Sequence, residues 1–184
     1  MSAQQTLWEE NAPKETQNIC TTTWDAWGTG AAFSPCRTWR YALWRVWNVH
    51  RSLILVVALN PSTATERDND PTVKRCIVRA MMRGHGGLLL GNLFAYRSTD
   101  PKALRTLDDP VGPENMRWLI RMADSADTIV CAWGTHGTYR HRDLHTRRRL
   151  DNVGQRFLWC WGKTKSGQPK HPLYLPYTTP LELY

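Results

Sequence analysis

Residues 52–59 read SLILVVAL and are ended at once by Asn60-Pro61-Ser62-Thr63-Ala64. A continuous apolar run bounded by a turn signal predicts a strand buried on both faces, as in a parallel sheet covered by helices. Upstream, Trp39, Tyr41, Leu43, Arg45 and Trp47 alternate with Arg40, Ala42, Trp44 and Val46. That period of two predicts a strand at the sheet edge, antiparallel to the one that follows. Downstream, Asp70 is placed to cap a helix with Pro71 at its first position. Val73, Cys76, Ile77, Ala80 and Met81 form one stripe of that helix, and Gly84 stops it.

The alternation continues along the chain. Gly87–Ala95 reads as a second buried strand, with Gly91 a point where backbone approaches a ligand closely. Pro113 opens a helix with Met116, Leu119, Ile120 and Ala123 on one face. Asp127–Trp133 is a third buried strand ended by Gly134, residues 139–153 form a charged helix, and Arg156–Trp161 is a fourth strand. Residues 20–36, with Gly28, Gly30 and Pro35, read as irregular. Residues 1–19 are polar without periodicity and read as a mobile arm. The expectation is therefore an arm, 1–19, followed by a single α/β domain, 20–184.

The 184 residues carry a net charge of +8. Residues 1–19 set Lys14 against Glu9, Glu10 and Glu15, a net of −2, so residues 20–184 carry +10. A basic body points to a polyanionic partner. The aliphatic run Leu53–Leu59 is far short of the roughly 20 residues that a spanning helix needs, so no membrane partner is expected. The acidic start has neither the basic nor the apolar region of a secretory signal. Cys20, Cys36, Cys76, Cys131 and Cys160 are odd in number and show no C-x-x-C spacing. They read as reduced thiols of a cytoplasmic protein, with no metal site. Ten tryptophans exceed the needs of one core, so some are expected at a surface or pocket.

In open α/β sheets the ligand site lies beyond the carboxyl ends of the strands. That rule selects Asn60–Ala64, Asn92–Thr99, Gly134–Tyr139 and Gly162–Pro172. Asn60 either closes an Asx/Pro turn or aims its amide into the crevice, where the carbonyl orients a water and Pro61 stiffens the turn. Asn92, in an apolar strand, either bonds neighbouring backbone or presents a donor and an acceptor to a pyrimidine edge. Phe94 or Tyr96 is then placed to stack on that base, although Phe94 also suits the core. His171, between Pro169 and Pro172, is either structural or a donor to an oxygen that gains charge in a transition state.

Arg140, Arg142, Arg147, Arg148 and Arg149, opposed only by Asp143, read either as a solvated helix face or as phosphate contacts. Asp68 is a weak candidate for an acid or base. Ser62 lacks the glycines of a nucleophile elbow. Gly162-Lys163-Thr164 imitates the end of a P-loop, but Phe157 stands where its first glycine is required.

The order of these motifs resembles the uracil-DNA glycosylase superfamily: ALNPSTA after the first strand, LLLGNLFAYR on the second, TIVCAWG on the third and HPLYL at the end. Together with RYALWRVW, DPT, NLFAYRSTDP and DPVGPEN, they also resemble a bacterial and phage family, domain-of-unknown-function family 1643, over about residues 36–176. The glycosylase resemblance implies a three-layer α/β/α sandwich with a short, mainly parallel central sheet. By the same resemblance Asn60 orients the attacking water, Asn92 pairs with the base edge and His171 stabilises the leaving base. Pro61, Ser62, Phe94 and Tyr96 complete the base site.

Departures accompany the match. Ala58 stands at a usual glycine, Ser62 replaces the glycine after the proline, and Leu173-Tyr174 replaces a serine-containing continuation. They point away from uracil itself toward a larger or modified base. The four-cysteine cluster of some branches is absent.

The expected activity is therefore hydrolysis of the N-glycosidic bond of a uracil-like or modified pyrimidine, flipped out of single- or double-stranded DNA. No metal or organic cofactor is expected, and the protein is expected to act as a monomer. Arg140, Arg142, Arg147, Arg148, Arg149, Lys163, Lys165 and Lys170 are the expected DNA contacts, with Leu173 and Tyr174 as wedges. Two alternatives keep the pocket: an enzyme for free nucleotides or hypermodified bases, and a base-sensing DNA-binding module without catalysis.

Overall fold

The sheet runs in the order β1 (Gly28–Phe33), β2 (Arg40–Val46), β4 (Gly87–Asn92), β3 (Leu53–Ala58), β5 (Thr128–Cys131), β6 (Leu158–Cys160) and β7 (Glu182–Leu183). The computed structural model describes residues 28–154 and 157–184. The expected arm, Cys20 and the start of the fourth strand at Arg156 lie outside the described residues. Strands β4, β3, β5 and β6 are parallel, whereas β1, β2 and β7 join antiparallel. The sheet is thus mixed rather than mainly parallel, with its parallel strands at the centre.

Strand β3 holds that centre. Ile54, Val56 and Ala58 enter one core cluster, and Leu55 and Val57 enter another. Both faces are covered, which is why the sequence shows a run instead of an alternation. Helix α1 (Pro71–Met82) adds Val73, Cys76 and Ala80 to the first cluster, and α2 (Asn115–Ser125) adds Trp118, Leu119, Met122 and Ala123 to the second. The third helix, α3 (Arg142–Asp151), packs through Leu150 on the α2 side. No helix among the described residues is long and apolar enough to cross a membrane.

The cap of α1 forms as the sequence predicts. Asp70 Oδ1 accepts the Val73 amide at 2.9 Å, with Pro71 next in line, and Gly84 follows the helix at φ 79°. The buried face is turned, however. Met81 is 52 % exposed while Arg79 is buried, because the C-terminal segment returns across the helix and accepts hydrogen bonds from Arg79.

Several expectations give way to packing. Residues 28–33 form β1 and are not irregular; Gly30 is required there because a Cβ would lie 2.2 Å from the Trp44 ring. Strand β2 is internal, and its antiparallel partners are β1 and β4, not β3. Gly91 makes room for a helix and not for a ligand, since a Cβ would sit 2.5 Å from Leu119 and 2.8 Å from Met122. The helix after Pro113 begins at Asn115, and it buries Trp118 and Met122 more deeply than the expected Met116 and Ile120. The charged segment 139–153 divides. A short 3₁₀ stretch, Thr135–His141, ends with Arg140 and His141 in left-handed geometry before α3 begins.

Candidate functional site

Beyond the carboxyl ends of β3 and β5 lies a pocket of about 530 Å³. The β3 loop supplies Asn60 and Ser62, and the residues opening α1 supply Asp70, Pro71 and Thr72. Ser98 and Thr99 come from the segment after β4, Trp133 to His136 from the end of β5, and His171, Leu173 and Tyr174 from the last loop. All four segments selected by the strand-end rule therefore contribute.

Asn60 is fixed by its nitrogen. Nδ2 donates to Ser98 O at 2.8 Å and Pro61 O at 3.1 Å, and Ser98 N donates back to Pro61 O at 2.9 Å. These bonds staple the β3 and β4 loops together. They leave Asn60 Oδ1 as the side-chain atom able to accept from a molecule in the pocket.

His171 is oriented by its backbone surroundings. Its Nδ1 accepts the Leu173 amide at 3.4 Å, so the neutral ring carries its proton on Nε2. Burial pushes the imidazole below its ordinary pKa, against the opposing pull of the Asp70 carboxylate. A neutral Nε2–H donor at neutral pH is the result. Asp70 is itself buried, with one oxygen spent on the helix cap.

Two arginines of α1 hold the His171 loop in place. Arg75 Nε donates to Pro172 O at 3.2 Å, and a second, short bond joins its Nη2 to Leu175 O. Arg79 Nη2 donates to Leu175 O at 3.0 Å and Pro176 O at 2.6 Å, with its guanidinium 4.8 Å from the Trp161 ring centroid. Neither arginine carries a sequence signal of this role, because the partners are backbone carbonyls nearly a hundred residues away. On the opposite wall, Trp133 Nε1 donates to Gln168 Oε1 at 2.9 Å, and Gln168 Nε2 donates to Asp143 Oδ2 at 2.9 Å. Gly134, at φ 70°, donates its amide to Pro169 O and turns the chain out of β5.

The structure brings Asn60, Ser62, His171, Leu173 and Tyr174 together and places other predicted residues elsewhere. Pro61 is buried behind the pocket wall. Asn92 is 1 % exposed, does not line the pocket, and leaves Nδ2 without a partner. Phe94 is in the core beside Tyr139, at a centroid distance of 5.8 Å. Tyr96 lines an adjoining cleft. Asp68 is exposed, lies outside the pocket and accepts from Thr65 Oγ1.

The arginines around α3 differ sharply from one another. Arg142 is buried and donates to Leu93 O, Arg140 donates to Asp108 O and Leu107 O, and Arg147 donates to Tyr184 O. Arg148, Arg149, Lys163, Lys165 and Lys170 are exposed. Tyr174, at 82 % exposure, stands at the pocket rim. Among the described residues no group of three His, Cys, Asp or Glu side chains gathers that could hold a metal ion.

Asp70 and Thr72, in the DPT motif, and Ser98 and Thr99, in NLFAYRSTDP, line the pocket without a site role read for them from the sequence, as do Thr135 and His136. Asp70-Pro71-Thr72 reads locally as a helix start, which it also is. Residues 40–173 match a protein family described as "Protein of unknown function (DUF1643)". The chain belongs to the DUF1643 family. The DUF1643 match begins at the first residue of β2 and ends at Leu173 on the pocket wall, so it takes in Asn60, Asp70, Ser98, Trp133 and His171. Neither the curated proteins nor the solved structures contain a match to the chain.

Proposed function

We propose that this DUF1643 protein hydrolyses the N-glycosidic bond of a modified pyrimidine drawn out of a DNA strand, on a three-layer fold of the uracil-DNA glycosylase type. One observation carries the reading: Asn60 and His171, from loops more than a hundred residues apart, line one pocket with complementary polarity. Cleavage of the bond between the sugar carbon and the base nitrogen leaves the electron pair on the base and cationic character on the sugar. His171 Nε2–H donates to the base oxygen that gains charge. Asn60 Oδ1 accepts from the attacking water and directs its lone pair at the sugar carbon. The water leaves a hydroxyl on the sugar, and the proton it sheds passes through solvent to the base anion, which departs neutral. The Asp70 carboxylate supplies negative charge to the same space. A tuned donor and a fixed acceptor acting where charge develops is the arrangement that lowers such barriers.

The pocket volume of about 530 Å³ lies within the range of small-molecule sites, about 300–1,000 Å³. With Thr72, Thr99 and Thr135 on its walls, it suits a base bearing polar substituents better than bare uracil. Exposed Tyr174 is placed as the wedge, and Arg148, Arg149, Lys163, Lys165 and Lys170 as phosphate contacts. The test is incubation with oligonucleotides carrying uracil or modified pyrimidines, followed by alkali to cut at abasic sites. Strand cleavage is expected with the native protein and is expected to fall about 100-fold or more in Asn60→Ala and His171→Ala. Tight binding without base release from any substrate would overturn hydrolysis in favour of a base-sensing module.

A further inference from the structure

A second cleft, of about 540 Å³, adjoins the pocket and shares Ser62, Ser98 and Thr99 with it. Its other walls are Cys36, Arg37, Thr38, Thr63, Tyr96 and Arg97. The lining thus holds two guanidinium groups and five hydroxyl-bearing Ser and Thr residues, and no carboxylate among the described residues. We propose that this cleft is a phosphate site, which takes the phosphate of the nucleotide whose base occupies the neighbouring pocket. The assignment rests on the reading of that pocket as a base site, because the two cavities share the wall formed by Ser62, Ser98 and Thr99.

The geometry favours an anion in several independent ways. The segments 36–38 and 96–99 are tied by Arg97 N to Thr38 O at 3.1 Å and by a bridge between Trp39 and Tyr96. Both guanidinium groups lie over the Phe33 ring, at 4.0 Å for Arg37 and 5.0 Å for Arg97. An aromatic floor restrains them in place of a flexible tether in water, so less freedom is lost on binding. Arg37 is matched by Glu66 in a two-bond pair at 2.7 and 3.0 Å. Arg97 has no such match. Its Nη1 donates weakly to Arg37 O at 3.3 Å, and its buried Nε makes no hydrogen bond.

Ser62, Thr63 and Thr99 likewise have hydroxyls without a hydrogen-bond partner among the described residues. Ser98 differs, its hydroxyl being spent on Asp100. A guanidinium whose Nη2 is uncommitted, beside three uncommitted hydroxyls, is a donor set that suits a tetrahedral oxyanion.

Cys36 provides a probe that does not depend on the identity of the base. Its exposed thiol lies in the cleft, and hydrogen bonds with Ser34 and Thr38 lower it to about 7. The experiment follows alkylation of Cys36 by iodoacetamide, resolved by peptide mass spectrometry, at constant ionic strength. Inorganic phosphate, a nucleoside 5′-monophosphate or a single-stranded decadeoxynucleotide is added in separate arms. A bound phosphate is expected to slow the reaction about threefold or more, by shielding the sulfur and raising its pKa. The slowing is expected to vanish in Arg97→Gln and to persist largely in Arg97→Lys.

Protection by the decamer alone assigns a phosphodiester of a strand. Protection by the monophosphate or inorganic phosphate assigns a free phosphate group. Either supports the site. An unchanged rate in all arms, or equal protection in Arg97→Gln, overturns it. If Arg97→Gln fails to fold, the double variant Thr63→Val/Thr99→Val, altered only at exposed positions, decides by the same criterion. Base release is not the readout, so failure of the hydrolysis reading and failure of the phosphate site give different results.

Discussion

On the side of the sheet covered by α2 and α3, Leu55, Val57, Leu89, Leu93 and Phe94 meet Trp118, Leu119 and Met122 in an apolar cluster. The α1 side is built differently. There Arg40, Arg45 and Arg79 are buried, compared with Arg142 alone among the described arginines of the other side, and they spend their guanidinium groups chiefly on backbone carbonyls of loops. Arg40 donates to Ala64 O at 3.0 Å, and burial pushes its pKa down to about 10 although Asp70 opposes the shift. Arg45 reaches Gly30 O, Trp44 O, Thr65 O and Asp68 O, with Asn69 Oδ1 at 2.8 Å. Aliphatic packing is non-directional and supplies stability, whereas a guanidinium fork fixes loops that have no secondary structure of their own. The pocket lies where those fixed loops converge.

The sharpest way to break this comparison is to damage each side and ask what is lost. Leu119→Ala on the apolar side is expected to cost about 2–5 kcal/mol, read as a lower midpoint in urea unfolding. The folded protein should keep its pocket and any ligand binding intact. Arg79→Met on the α1 side is expected to cost less stability, about 1–3 kcal/mol, because it removes the charged hydrogen bonds to Leu175 O and Pro176 O, which keep Arg75 and Thr179 as donors. Its larger effect should fall on function, since the His171 loop loses a clamp: base release or ligand affinity should drop more than stability does. Equal functional losses in the two variants would erase the distinction.

The smallest expected effect concerns pH. Burial lowers the pKa of His171 in the folded state, so below the ordinary histidine range the unfolded chain binds the extra proton first. Stability is therefore expected to fall as pH drops below about 6.5, and to level off below the folded-state pKa. His171→Gln should make that acid limb shallower without abolishing it, because His85 is also lowered by burial. An unchanged limb in denaturant melts from pH 7 to pH 5 would show that His171 is not the buried neutral donor assigned to it.

Much of the fold was legible in the sequence, for local reasons. The runs at 52–59, 87–95, 127–133 and 156–161 contain the four parallel strands, and Asp70-Pro71 marked a helix start correctly. Strand β1 was hidden because its glycines and alanines carry no strand signal, and Gly30 is small so that the Trp44 ring fits over it. The basic segment at 140–149 was visible as charge, yet nothing in one dimension separated Arg148 and Arg149 from Arg142, whose guanidinium is buried against Leu93 O. Asn60 and His171 emerged from strand-end position and motif order. Asp70 and Thr72 stayed concealed behind a satisfactory structural role.

The sequence by itself determined the central strands, the start of α1 and the loops around the crevice, because hydrophobic periodicity, caps and turn residues act over a few neighbours. Only the tertiary structure decided which loops meet and which charges remain uncommitted. Long guanidinium side chains choose among carbonyls up to a hundred residues distant, and only folding brings those carbonyls within reach. By that criterion Arg140 and Arg142 became structural ties, and Arg97, bonded only through Nη1 to Arg37 O, kept its Nη2 uncommitted beside the pocket.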